Sequence, residues 1–130
     1  MRPVIDPAPL DDPICNSLTG PHREFAITSG PISRYQPDVS VFFGHPRDMD
    51  AAAWAGLAEL AGPGGRAGLR GRADPLPDGW RIMETFELVQ YSGVDVESGP
   101  VDGLVRLGYD DVPEMTRLVE LTKPGPFLPR

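Results

Sequence analysis

The first third of the chain alternates short apolar runs with glycine and proline breaks. Asp12-Pro13 is typical of a helix start, with Asp12 as N-cap and proline in the first turn, and Gly20-Pro21 is typical of its end. Two short β-like runs, 25–27 and 32–35, flank a turn sequence centred on Gly30-Pro31. We therefore predict a short helix followed by a β-hairpin.

A second helix is predicted over 50–61, because apolar residues recur there at helical spacing. Its apolar face consists of Trp54, Leu57, Leu60 and Ala61. Asp48 or Asp50 can cap its start, and the glycine-rich sequence 62–65 is expected to end it. Two further β-like runs lie at 39–43 and 66–71.

The longest β-like run is 80–91, which carries apolar residues on both faces. Such a pattern is typical of a strand in the middle of a sheet. Glu84 and Glu87 interrupt the run and indicate a bend. We expect an α+β protein, α/β-like in the order of its elements, with a small mixed β-sheet built from this run and its neighbours and flanked by two or three helices.

The acidic, glycine-containing sequence 92–103 is interpreted as a linker. It separates a predicted N-terminal α+β region, 1–91, from a second unit, 104–130. The second unit begins with an apolar run, 104–107, that predicts a strand, and continues with a helix over 112–122 that has one apolar stripe. The stripe consists of Val112, Met115, Leu118, Val119 and Thr122.

The start of this last helix has the sequence signals of a capping box. Asp111 stands at the expected N-cap with Glu114 three residues on, and Pro113 suits the first turn. Lys123 favours the negative end of the helix dipole, and Pro124-Gly125 is expected to stop the helix.

The strand, aspartate and helix of this unit resemble the opening β-α unit of the GNAT superfamily, the acyl-CoA-dependent N-acyltransferases. Sequences 111–115 and 121–127 are similar to one bacterial subgroup with an extra N-terminal region. Upstream blocks of the same subgroup are matched by Asp12-Pro13, the 18–22 sequence LTGPH, Arg34-Tyr35 and the 37–40 sequence PDVS. The resemblance implies the N-terminal part of an acetyl-CoA-dependent N-acetyltransferase.

The family holds the pyrophosphate of acetyl-CoA on a loop of the form [RQ]-x-x-G-x-[GA] between a strand and a helix, where backbone N–H groups favour anions. The sequence offers no such loop after residue 107. The nearest candidate, 62–68, follows a helix and precedes a β-like run, which is the reverse order. We therefore expect this chain alone to bind no acetyl-CoA and to be inactive without a further catalytic half.

In the family the connection after the first helix lines the side of the acceptor amine. The resemblance therefore places an acceptor-side loop at Thr122, Lys123, Pro124, Gly125, Pro126 and Phe127. Phe127 is a candidate wall for the amine, although the same residue would also serve as a core residue. The sequence assigns no catalytic base and no metal ligand.

The charge composition of the chain argues against some classes of binding partner. The formal net charge is −7, which argues against nucleic acid or an anionic membrane as a partner, since both require clustered Lys and Arg. The one basic cluster comprises Arg66, Arg70, Arg72 and Arg81, and is read as a solvated face in preference to an anion site. Prolines interrupt the N-terminus, so neither a signal peptide nor a membrane span is predicted, and a cytoplasmic location is expected.

The chain has one cysteine and two histidines, which suits a reducing compartment. Cys15 and His22 are a conceivable nucleophile pair, but no third orienting group is identifiable, and a small buried role for Cys15 is favoured. His45, beside Pro46, has no neighbouring ligands at zinc spacing.

Two non-catalytic functions remain open beside the acetyltransferase reading. One is an interaction or dimerisation module that uses the exposed edge and helix stripe, as a homodimer or with a separately encoded catalytic half. The other is a degenerate small-molecule-binding domain. In the acetyltransferase reading the acceptor is a small amine.

Overall fold

The sheet begins with a tight hairpin in the computed structural model, which describes residues 6–71 and 75–128. Strands β1 (Ala26–Ser29) and β2 (Ile32–Tyr35) pair in antiparallel fashion across Gly30-Pro31. Gly30 has φ of 55°, which glycine adopts without strain, and Pro31 can only have a negative φ. This combination suits a II′ turn, whose twist matches the strands. The predicted hairpin is confirmed.

A two-residue strand, β3 (Phe43–Gly44), completes an antiparallel sheet of order β1-β2-β3. Helices α1 (Pro13–Thr19), α2 (Ala51–Ala61) and α3 (Val112–Thr122) accompany it. Short 3-10 turns cover Ala8–Asp11, Arg23–Phe25 and Tyr109–Asp111. The predicted α+β class, a small sheet with helices, is confirmed. Among the described residues the sheet is antiparallel throughout, because hairpin and short-loop connections reverse the chain each time.

Each face of the sheet is covered by a different helix. The register places Ile27, Arg34 and Phe43 opposite one another, so they share one face. On that face Ser29 donates a hydrogen bond to Glu59 of α2. On the other face Gly44 lies so close to α1 that a Cβ there would stand 3.0 Å from the Cys15 sulfur. Residues 13–61 thus form three thin layers, helix, sheet and helix.

The core lies between the sheet and α2. Ile32, Phe43, Ala53 and Leu57 are buried together and form the core cluster. Trp54 and Leu60 of α2, together with Ala67, Leu69 and Trp80, pack around it. The predicted apolar face of the second helix is therefore confirmed as a core face.

Arg34 connects the sheet to the end of α2. Its Nη1 donates to the Leu60 carbonyl oxygen at 2.8 Å, and its guanidinium carbon lies 4.6 Å from the centroid of the Phe43 ring. A cation is favourable beside the C-terminal carbonyls of a helix and over an aromatic face. The half-buried charge of Arg34 is therefore compensated within the fold.

Two of the predicted helix caps form as expected. The Asp12 carboxylate accepts from Cys15 N at 3.2 Å, and the Asp50 carboxylate accepts from Ala53 N at 2.8 Å. Gly62 then ends α2 with φ of 74°, confirming the predicted stop. Of the two candidate caps for α2, Asp50 is the one used.

We expect Asp50→Ala to lower the free energy of unfolding by about 1 kcal/mol, because the Ala53 N–H loses its acceptor. Urea unfolding followed by circular dichroism measures the change. Asp48→Ala removes the same charge beside the helix without removing a bond and is expected to change stability by less than about 0.5 kcal/mol. Equal losses in the two variants would contradict the role of Asp50.

The predicted capping box at the start of α3 is wrong. Asp111 has φ of −87° and ψ of −12°, helical values that an N-cap residue does not adopt, because a 3-10 turn leads straight into the helix. Its carboxylate instead accepts from Gly108 N at 2.7 Å. Pro113 does occupy the first turn, and Lys123 ends the helix in a left-handed conformation with φ of 48°.

The longest predicted strand is also wrong. Residues 80–91 have no regular secondary structure, nor do 104–107 or 66–71, and the sheet is built from 26–44 instead. A strand requires a hydrogen-bonding neighbour, and the described part of the chain provides none for these runs. Of the 39–43 run, only Phe43 enters a strand.

The two tryptophans form one pair. Trp54 of α2 and Trp80 have ring centroids 5.5 Å apart at an interplanar angle of 49°. Trp80 also packs on the core cluster, so this contact attaches the segment around residue 80 to the core. Arg72 of the predicted basic cluster and residues 129–130 of the predicted second unit lie outside the described residues.

Candidate functional site

The most conspicuous surface is the run 81–107, here named the apolar arm. Every residue of the arm is exposed to solvent, although it contains many large apolar side chains. They are Ile82, Met83, Phe86, Leu88, Val89, Tyr91, Val94, Val96, Val101, Leu104, Val105 and Leu107. Apolar surface of this extent usually marks an interaction site.

The apolar stripe of α3 is only partly covered. Of the stripe, Val112, Met115 and Val119 are half-buried, whereas Leu118 and Thr122 are exposed, Leu118 to 60%. Leu121, beside the stripe, is 77% exposed. None of the hydrogen bonds found among the described residues joins 81–128 to 6–71. The arm and α3, which follow one another along the chain, therefore each present an apolar surface.

The predicted acceptor-side loop, Thr122 to Phe127, follows α3 and is exposed throughout. The Thr122 hydroxyl donates to the Leu118 carbonyl within the helix at 2.9 Å. Phe127 is 39% exposed, so it is neither a full core residue nor part of an enclosed pocket. Among the described residues, no other side-chain hydrogen bond or ion pair involves this loop.

A polar cluster lies instead between α1 and the end of β3. Arg70 Nη2 is 3.2 Å from Asp12 Oδ1 and donates to the Asp11 carbonyl oxygen at 2.9 Å. The Cys15 thiol donates to the His45 carbonyl oxygen at 3.6 Å. Sequence reasoning missed this cluster, because no spacing links residues so far apart along the chain.

His45 makes two contacts with backbone groups. Its Nε2 accepts from Arg70 N–H at 2.9 Å, so Nδ1 carries the proton and donates to the Pro46 carbonyl oxygen at 2.8 Å. Both ring nitrogens are engaged in these contacts. His45 therefore joins the 66–71 segment to the residues that follow β3.

His22 and Cys15 have different partners, so the conceivable nucleophile pair does not form. His22 Nδ1 lies 2.7 Å from the Tyr35 hydroxyl, and the two rings meet edge to face. Tyr35 is 8% exposed, and this contact satisfies its hydroxyl. Nearby, Gly20, Pro21, Arg23 and Glu24 line an open surface depression of about 550 Å³.

Burial raises the pKa of the Cys15 thiol above its ordinary value of 9.0, and the Asp12 carboxylate adds to the rise. We expect the rate of alkylation by iodoacetamide to have its pH midpoint above 9.0 in the folded protein and near that value in urea. Since the unfolded thiol ionises first, stability should fall as the pH rises past its pKa. Mass spectrometry of the modified chain follows the rate.

Asp12→Asn provides the control for this prediction, because asparagine keeps the helix cap and removes the carboxylate charge. The midpoint of the folded variant should move toward that of the unfolded chain. A folded midpoint below 9.0 would instead identify an activated thiolate and contradict the assignment of Cys15 as an inert, half-buried thiol.

The described residues contain no group of three or more metal-ligating side chains, and their longest helices, of eleven residues, do not reach the length needed to cross a bilayer. Comparison with known proteins found no match: no family model, curated protein or solved structure matches the chain. The apolar arm and α3 define the candidate functional surface.

Proposed function

We propose that the chain is the N-terminal portion of an acetyl-CoA-dependent N-acetyltransferase, whose sheet is completed by another polypeptide segment. The observation that carries the proposal is the apolar arm. It has the composition of sheet strands, yet no described residue pairs with it. Such a surface is understandable in a folding unit that lacks its neighbouring strands.

The order of the elements supports the same proposal. The run 104–107, with β-strand composition, precedes α3, as in the opening β-α unit that the sequence resembles. A partner that paired with this run would place α3 against the new sheet and cover Leu118 and Leu121. The half-covered stripe of α3 is consistent with a helix designed to pack on a sheet.

In this proposal the chain contributes to the acceptor side of the reaction. Acetyl-CoA supplies the activated acetyl group, which is transferred to a small amine. The loop from Thr122 to Phe127 would line the amine site, with Phe127 helping to exclude water. The pyrophosphate would be bound by the catalytic part, since this chain has no loop with the required sequence.

The test is to read the gene beyond codon 130 and the adjacent reading frames, then to express the product together with this chain. We expect a strand followed by an [RQ]-x-x-G-x-[GA] loop and a helix. Calorimetry should give micromolar acetyl-CoA binding to the assembled protein and none to the chain alone. Absence of such a region, or micromolar binding by the chain alone, would contradict the proposal.

A non-catalytic interaction module is the second candidate, and the surface area favours it. The chain exposes 11056 Å², whereas a compact protein of this mass exposes about 6700 Å². The excess is larger than the roughly 800 Å² per partner of a standard protein interface. A binding partner without acetyl-CoA affinity would favour this candidate over the first.

A further inference from the structure

The backbone of the apolar arm is almost free of hydrogen bonds to other backbone groups. Within 81–107 the backbone makes one hydrogen bond to another backbone group, from Val96 N to the Gly93 carbonyl oxygen. No bond of this kind is found within 82–91, where every residue is exposed. A segment with unpaired main-chain groups and β-forming side chains can bind by adding a strand to an exposed sheet edge, where main-chain bonds give affinity and alternate side chains give specificity.

The surroundings of the arm are acidic. Residues 75–128 carry ten Asp and Glu but only four Arg and Lys. In an extended strand, Glu84 and Glu87 point to opposite faces because side chains alternate. Each face of an added strand would therefore carry one carboxylate. A complementary partner would need positively charged side chains on both faces of its edge strand.

The same charges argue against a second copy of the chain. A second arm would bring a further excess of carboxylates, and like charges across an interface are repulsive. The open edge of β1 is no better suited, because Glu24 lies two residues before this strand and Glu59 contacts Ser29 within it. Neither arm-to-arm nor arm-to-β1 pairing matches the charge.

We infer that residues 82–91 bind as an added β-strand to the sheet edge of a partner polypeptide flanked by lysine or arginine side chains, and do not bind a second copy. This inference rests on the proposed function, in which another polypeptide completes the sheet. It names the chemistry of that partner. The buried apolar side chains supply affinity, and the two glutamates select a basic edge.

The test uses the whole chain and two labelled ten-residue probe peptides, one repeating the sequence valine-valine-lysine-lysine and one repeating valine-valine-glutamate-glutamate, so that each peptide carries its charges on both faces of a strand. Fluorescence anisotropy should show that the lysine peptide binds at least tenfold more tightly than the glutamate peptide. High salt should reduce the difference, since the charges are exposed. Infrared spectra of the complex should show added β-structure.

Two double variants distinguish an effect of the glutamates in the arm from an effect of the net charge of the protein. Glu84→Lys with Glu87→Lys should weaken binding of the lysine peptide at least tenfold, whereas Glu24→Lys with Asp38→Lys, which changes the net charge equally, should weaken it less than threefold. Neither pair is buried, so both variants should fold, as circular dichroism will verify. Phe86→Ser should weaken both peptides.

Equal binding of the two peptides, or equal loss in the two double variants, would overturn the inference. Light scattering supplies a third outcome: a stable dimer that Phe86→Ser dissociates would show that a second copy covers the arm. None of these measurements involves acetyl-CoA. The inference can therefore fail while the proposed enzymatic role stands, and the reverse is equally distinguishable.

Discussion

Leu57→Ala is expected to lower the free energy of unfolding by about 2–5 kcal/mol, because the side chain is 0% exposed and its loss leaves a cavity. The cavity would open between α2 and the sheet, beside Ile32 and Phe43. Urea unfolding followed by circular dichroism measures the change. A loss of this size would be a large share of the stability of a small domain.

Leu88→Ala is the matched control, since the same atoms are removed from a side chain that is 85% exposed in the apolar arm. Its stability should stay within about 0.5 kcal/mol of the natural chain. A comparable loss in both variants would mean that the arm packs into the core in solution. That result would contradict the separation of the arm from the core cluster.

Gly56→Ala is expected to cost about 1–3 kcal/mol, although alanine favours a helix over glycine by about 1 kcal/mol. A Cβ at this position would lie 2.3 Å from the Ser29 carbonyl oxygen and 3.2 Å from the Ser29 carbonyl carbon. Both atoms belong to the backbone of β1, which cannot turn aside as a side chain would. Helix α2 would have to move away from the sheet.

Gly68→Ala tests whether the clash is the cause. No heavy atom lies within 4 Å of a Cβ at position 68, so this variant should be neutral or slightly stabilising. The same urea titration compares both. If Gly56→Ala proved as stable as the natural protein, the close approach of α2 to β1 would not exist in solution.

Local signals in the sequence predicted the local structure well. The turn at Gly30-Pro31, the caps at Asp12 and Asp50, and the stop at Gly62 each depend on a few neighbouring residues. The interactions that form these features join residues within about one helical turn of each other, so the local sequence is enough to predict them. The same reasoning failed at Asp111, because a preceding 3-10 turn changed the backbone angles that a cap requires.

Long-range pairing was beyond the sequence pattern. Residues 80–91 have the composition of a central strand, but composition does not say which strand stands beside it. The sheet formed from shorter runs that a two-residue turn brings together, while the longest apolar run stayed unpaired. Contacts such as Arg70 with Asp12 were likewise invisible, since nothing in their spacing signals proximity.

The two predicted helices with apolar faces also differ in burial, because burial depends on neighbours that lie far away in sequence. Leu57 in α2 is fully buried, whereas Leu118 in α3 is 60% exposed, although both occupy the apolar side of an eleven-residue helix. The stripe predicts that a surface is suited to burial, and the available neighbours decide whether burial occurs.

The contact between Trp54 and Trp80 gives the molecule an intrinsic fluorescence probe. These are the only tryptophans in the sequence, and their rings meet where the chain leaves the core cluster. Ultraviolet excitation at the red edge of the absorption band therefore reports from a single location. Tension transmitted along the following residues would alter the spacing of the two indoles and shift their emission, without any attached dye.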